Sequence, residues 1–207
     1  MAKFIEYFGV KVLERTLGLK LSKDNLVDRR IFKDLDEDKV RNETIEKMYK
    51  KVYKNYDNNM RYFQSLSKEE FNLKLNNFLN ENKQFKEVTN LNSVDKKSGY
   101  YMMVLDEYFQ VYIGTSSNIK GRIQGHWAMQ MHLDRMIFGS VDDSKLSINS
   151  FRAFDIKRIY VYLTSKTFDY EDRFINKFDD KYLLNRTAGG LLEGLDEAIA
   201  NRKTRDL

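Results

Sequence analysis

Apolar positions recur along this chain with two different periods, and the change of period divides it. Ile45, Met48, Tyr49, Val52, Tyr53 and Tyr56 stand three and four apart and make one stripe of a helix. Ser67-Lys68-Glu69-Glu70 is a capping-box pattern, with the Ser67 hydroxyl and the Glu70 carboxylate placed to satisfy free backbone N–H groups. It predicts a second helix whose apolar face is Phe71, Leu75, Phe78 and Leu79. Phe4, Ile5, Phe8 and Val12 suggest a shorter helix at the start. Residues 90–98 are polar and aperiodic and mark a junction. Beyond it, 99–105 and 109–114 read as short strands rich in aromatic and β-branched residues, joined by a tight loop at Asp106-Glu107. Ser116 or Ser117 can cap a helix running to Phe138, residues 139–155 read mostly as loop, and Ile156 to Leu163 reads as a third strand. Asp169 to Tyr182 reads as a helix, and a short C-terminal helix follows Gly189-Gly190.

The expected fold is α+β: a small antiparallel three-stranded sheet flanked by helices, preceded by a helical N-terminal region. The expected organisation is a helical accessory region over 1–95, a sheet-containing domain over 96–190, and a C-terminal helix and tail over 191–207. Glycine usage agrees, since Gly9 and Gly18 alone precede residue 99 and the other eight fall at or after it. Proline is absent, so it breaks no segment.

Composition narrows the classes of function. At 42% hydrophobic and 14% aromatic, the 207 residues can build a core. The absence of cysteine excludes disulfides, thiolate zinc sites and cysteine nucleophiles, and suits a reducing cytoplasm. Two histidines, His126 and His132, exclude a histidine-rich metal site. No apolar run approaches the ~20 residues that span a bilayer, and the N-terminus is broken by charges where a signal peptide is uninterrupted. A soluble, cytoplasmic protein without membrane contact is expected. The net charge of +5 permits nucleic-acid binding without demanding it. The basic excess is spread over both halves, so no basic arm stands out.

The candidate chemistry lies in the back half. With a two-residue loop at Asp106-Glu107, Leu105 opposes Tyr108 and Tyr101 opposes Tyr112, so two phenols share one sheet face. A three-residue loop would send them to opposite faces. Arg122 and His126, four apart, share one helix face. Trp127, Met129, Met136 and Ile137 read as core contacts, and His132 has no identifiable partner. Glu171 stands near the start of the following helix, where an acidic residue also favours the helix dipole. Asn185 follows that helix, a common place for an asparagine cap. Taken singly, each has an ordinary structural explanation.

Taken in order, they have another. Gly99-Tyr100-Tyr101, Val111-Tyr112-Ile113-Gly114, Arg122 with His126, Glu171 and Leu184-Asn185 together resemble the GIY-YIG nuclease family. The resemblance covers nearly half the chain. One departure is Gly-Tyr-Tyr in place of Gly-Ile-Tyr, and Asp142-Asp143-Ser144 reads as a family-variable insertion. The resemblance implies a DNA endonuclease using one Mg2+ or Mn2+. It implies Glu171 as metal ligand, Arg122 on a phosphate oxygen, and Tyr101 as general base or proton relay. Tyr112 and His126 would belong to the same network, and Asn185 would position Glu171 or the loop beside it. A free phenol ionises near 10, so Tyr101 would need Arg122 and the metal to lower its pKa. Two further readings stand beside this one: a catalytically silent DNA-binding or protein-interaction module, and an RNA-cleaving nuclease. Lys120 reads as a solvated lysine near enough to reach phosphate, and residues 47–54 interleave lysine with tyrosine. The N-terminal helices are candidates for substrate recognition or for homodimerisation.

Overall fold

The structure, a computed structural model, describes residues 3–14, 18–23, 39–128, 146–166 and 170–185. In chain order the elements are β1 (Lys3–Tyr7), β2 (Val10–Glu14), α1 (Lys39–Gln64), α2 (Lys68–Glu81), β3 (Lys86–Glu87), β4 (Gly99–Leu105), β5 (Gln110–Ser116), α3 (Ile119–Ala128), β6 (Arg158–Leu163) and α4 (Glu171–Lys177). The architecture is α+β with antiparallel sheets. No helix among the described residues is long and apolar enough to cross a membrane.

The first element departs from the expected helix. β1 and β2 form a hairpin in which Tyr7 pairs with Val10, leaving Phe8-Gly9 as a two-residue turn. Both turn residues have positive φ, 47° and 68°, as in the primed turn that matches strand twist. Ile5, Tyr7, Val10 and Val12 then face inward while Phe4 and Leu13 face out. Apolar residues at 4, 5, 8 and 12 fit a helical stripe equally well, and the glycine decides between them.

The main sheet has four strands, ordered β3-β6-β4-β5, rather than three. The added strand, β3, is two residues long and comes from the front half, pairing Lys86 with Val161 and Glu87 with Tyr160. β4 is central and buried at every residue. The turn after it is longer than expected: Asp106–Tyr108 forms one turn of 3-10 helix and Phe109 takes a left-handed conformation, φ 51°. Leu105 therefore opposes Gln110, and β5 starts at residue 110. β5 would be an open edge, but residues 183–185 run beside it. Leu183 bridges Val111 in parallel, and Leu184 N–H donates to the Val111 carbonyl at 2.8 Å.

The helices cover this sheet and share one core with it. In α1, Val52 is buried, and Phe63 packs on Tyr108 and Phe151. Ser67 caps α2 by accepting from Glu70 N–H at 3.1 Å, while the Glu70 carboxylate turns to Lys181 instead of completing the capping box. Phe71, Leu75 and Phe78 are buried, each worth about 1.5–3 kcal/mol by transfer from water. Phe78 meets Phe174 and Phe178, which joins α2 to α4. Asn118 rather than Ser116 or Ser117 caps α3, accepting from Gly121 N–H. α4 stops at Lys177, five residues earlier than expected, because Asp179 accepts from Lys181 N–H and starts a separate 3-10 turn. β6 likewise starts two residues later than expected, after a 3-10 turn at Ala153–Asp155. The readings at Met129, His132, Met136, Ile137, Asp142-Asp143-Ser144 and the C-terminal helix lie outside the described residues.

Asp155 ties distant segments together. Fully buried, its carboxylate accepts from Leu21 N–H (2.9 Å), Arg152 N–H (2.7 Å) and the Tyr108 hydroxyl (2.9 Å). Burial raises its pKa against these bonds. Asp155→Ala leaves three buried donors without their acceptor, and is expected to cost about 3 kcal/mol. That corresponds to a drop of roughly 6–12 °C in Tm for a domain of this size, read by thermal melts.

Candidate active site

Two glycines shape the ground on which the site stands. At Gly99, φ is +152°, and a Cβ there would strike the Tyr162 carbonyl oxygen on the neighbouring strand. At Gly114, a Cβ would lie 2.6 Å from both Cζ and the hydroxyl of Tyr101. The Tyr101 ring thus lies across the bare backbone of Gly114, its direct cross-strand partner. The longer turn has shifted the register by two, so Tyr112 pairs with Met103 and not with Tyr101. Two residues is an even shift, so both phenols keep the same face and meet diagonally, ring centres 6.2 Å apart.

α3 brings the next pair. His126 lies 6.1 Å from Tyr101 and 5.2 Å from Tyr112, centre to centre. Its Nε2 is 2.8 Å from the Tyr101 hydroxyl and its Nδ1 is 2.7 Å from Asn149 Oδ1. Arg122, one turn earlier and exposed, is close enough to Tyr101 and Tyr112 to shift the ionisation of both. Burial works against its charge, but Tyr101, Tyr112 and Glu171 outweigh this and raise its pKa. The neighbouring Lys120 is paired with Asp95 at 3.1 Å.

Glu171 opens α4, which packs against β5. Burial, with Asp172 beside it, pushes its carboxyl up to about 7, against the Thr115 backbone N–H and Arg122, which favour the carboxylate. Arg122 and Glu171 are therefore close enough for each to shift the other's ionisation. Tyr100, the residue that departs from the expected motif, holds the approach to this helix. Its fully buried hydroxyl donates to the Lys166 carbonyl at 2.7 Å and accepts from Tyr170 N–H at 3.0 Å. Asn185 grips the main chain of Ile113, accepting from its N–H at 3.0 Å and donating to its carbonyl at 2.7 Å. It thereby fixes β5 between Tyr112 and Gly114.

Burial governs both phenols. Burial and the neighbouring Tyr112 push Tyr101 well above the ordinary phenol range, and Arg122 recovers only part of this. Tyr112 is also raised, chiefly by burial and by Glu171. Burial depresses His126 to about 4, so the ring is neutral at neutral pH. Tyr101 is 0% exposed, whereas Tyr112 and Glu171 keep some surface.

Tyr101, Tyr112, Arg122, His126 and Glu171 thus converge, and Asn185 holds the strand that carries Tyr112 and Gly114. Asn149, Tyr100 and the Thr115 N–H were not readable as site groups. Asn149 lies in an aperiodic stretch, a side chain's partner carbonyl leaves no sequence signal, and neither does a backbone donor. Among the described residues no three His, Asp or Glu side chains cluster. A cation at this site would rest on Glu171 alone, with phosphate and water completing the shell, as magnesium accepts. The chemistry of Glu171 fits such an ion: its carboxylate is costly to ionise in place, and a divalent cation offsets that cost. Compared with known proteins, the chain matches no family model, no curated sequence and no solved structure.

Proposed function

We propose that the protein is a metal-dependent endonuclease of the GIY-YIG type that hydrolyses DNA phosphodiester bonds. The observation that carries this reading is the convergence of two phenols, a guanidinium, a neutral imidazole and one carboxylate raised to about 7. The two motif glycines sit where a side chain would collide, and Gly114 is bare because Tyr101 occupies its space. The four-stranded sheet, with helices over it, supplies the α+β frame on which such a site is built.

Glu171 would hold Mg2+ or Mn2+, and the bound ion supplies Lewis-acid polarisation of the phosphoryl group and stabilisation of the leaving oxygen. Arg122, exposed and cationic, binds a non-bridging phosphate oxygen and neutralises charge that develops there. Tyr112, a residue that keeps some exposed surface, meets the attacking water. The water's proton is taken by the Tyr112 oxygen as Tyr112 passes its own to Tyr101 and Tyr101 passes its own to His126 Nε2, which holds it transiently and returns it along the same route to the leaving oxygen. Tyr101 acts as a relay within this route, since it is buried and keeps its own proton at neutral pH. Asn185 and Tyr100 act as positioning residues, the first for β5 and the second for the entry to α4. Lys47, Lys50 and Lys51 are exposed on α1 and provide charge for the phosphate backbone of a bound duplex.

The burial and raised pKa of Tyr101 favour a second reading, a DNA-binding module whose site is silent. Matched end-labelled DNA and RNA duplexes, incubated with Mg2+ or Mn2+, separate the readings. Cleavage of DNA is expected, together with binding that weakens steeply as salt rises. DNA binding without cleavage of either polymer supports the silent module, and cleavage of RNA alone supports an RNA-directed enzyme.

A further inference from the structure

Both ring nitrogens of His126 are engaged, and their partners differ in what they can offer. Nδ1 faces the amide oxygen of Asn149 at 2.7 Å, and an amide oxygen only accepts. Nδ1 therefore carries the ring hydrogen. A neutral imidazole has one N–H, so Nε2 is bare and takes the Tyr101 O–H at 2.8 Å. The donations run one way, from Tyr101 to His126 to Asn149.

We infer that Asn149 is a positioning residue that fixes His126 as its Nδ1–H tautomer and so makes Nε2 the acceptor for the Tyr101 proton. Asn149 is the middle residue of a 3-10 turn whose other two residues, Ile148 and Ser150, are 5% and 1% exposed. The turn is thus anchored on both sides of the amide. His126 is 3% exposed, so little water reaches the ring to reset its tautomer. Turning the Asn149 amide over would present N–H to Nδ1, move the ring hydrogen to Nε2 and aim it at Tyr101. The route for the Tyr101 proton would then be closed. A wrong tautomer at an otherwise intact site is costly for proton transfer, because the base presents a hydrogen where a lone pair is needed. The catalytic half of this inference rests on the nuclease reading, and the tautomer does not.

The test is a long-range 1H–15N correlation spectrum of the full chain with 15N-labelled histidine. Signals that persist in His132→Gln belong to His126. The wild type is expected to show a protonated Nδ1 and a bare Nε2. Asn149→Ala is expected to shift His126 toward the Nε2–H form and to lower kcat roughly 100-fold at little change in KM. Asn149→Asp, which still accepts from Nδ1–H, is expected to keep the wild-type tautomer. A wild-type ring protonated on Nε2, or an unchanged tautomer in Asn149→Ala, overturns the inference. The wild-type and Asn149→Asp spectra decide the matter even where Asn149→Ala fails to fold. The expected tautomers in a wild-type protein that cuts no nucleic acid overturn the nuclease reading and leave the role of Asn149 toward His126 standing.

Discussion

Glu171→Gln is expected to abolish cleavage while making the folded protein more stable at pH 8. The two effects have one cause. Burial raises the carboxyl from its ordinary 4.5 to about 7. At low pH the group is protonated in the folded and unfolded chains alike and contributes no difference. As pH rises from about 4.5 to about 7, the unfolded chain ionises first, so stability falls, and above about 7 the full penalty is present. A shift of that size corresponds to a cost on the order of 3 kcal/mol. Glutamine removes the charge and keeps the size of the side chain. Denaturant midpoints should therefore favour the variant at pH 8 and converge with wild type toward pH 4. Mg2+ should stabilise wild type and leave the variant unmoved, since an ion that binds only the folded state adds to stability by mass action. Loss of the metal's several kcal/mol of charge stabilisation predicts a fall in cleavage of roughly 1000-fold or more. A variant less stable than wild type at pH 8 would show that Glu171 holds the fold together, against the electrostatics described above.

Gly114→Ala carries the second large effect. The new methyl would lie 2.6 Å from Tyr101 Cζ and hydroxyl and 3.0 Å from Tyr112 Cε1. The far end of an exposed tyrosine would swing away at little cost. Tyr101 has no exposed surface, and its hydroxyl is held by His126, so relief requires breaking the 2.8 Å contact or moving a strand. Overpacking of this kind costs about 1–3 kcal/mol, and displacement of the relay is expected to lower cleavage roughly 100-fold or more. Gly125→Ala is the control. Its Cβ meets nothing within 4 Å, and alanine in a helix interior should be neutral or stabilising by up to ~1 kcal/mol. Thermal melts and cleavage rates of the two variants, measured together, separate the local collision from a general intolerance of alanine for glycine.

What the sequence made readable depended on whether a signal was local and periodic. The α1 stripe around Val52, the Ser67 cap and the apolar face of α2 are such signals, and each appears in the fold. The hairpin appeared too, but its turn length was not readable: Asp106-Glu107-Tyr108-Phe109 lacks the glycine that would announce the left-handed residue, and Phe109 takes that conformation itself. The resulting slip was even, so the shared face of Tyr101 and Tyr112 survived the wrong register. β1 and β2 were misread because apolar positions at 4, 5, 8 and 12 satisfy two periods at once. β3 is too short to have a period. Ionisation is the least readable property. Arg122 beside Tyr101 works to lower its pKa, but burial, visible only in the fold, outweighs it. Arg122, His126 and Glu171 were singled out by the resemblance to the GIY-YIG pattern, whereas Asn149 is joined to His126 only by the fold.

The measurement that tests the central claim most directly is conversion of supercoiled plasmid in Mg2+ or Mn2+, with wild type and Glu171→Gln purified in parallel. Nicked or linear product from wild type and none from the variant is the predicted result. An inert wild type with either ion, or equal cutting by both proteins, would contradict the assignment of this site to phosphodiester hydrolysis.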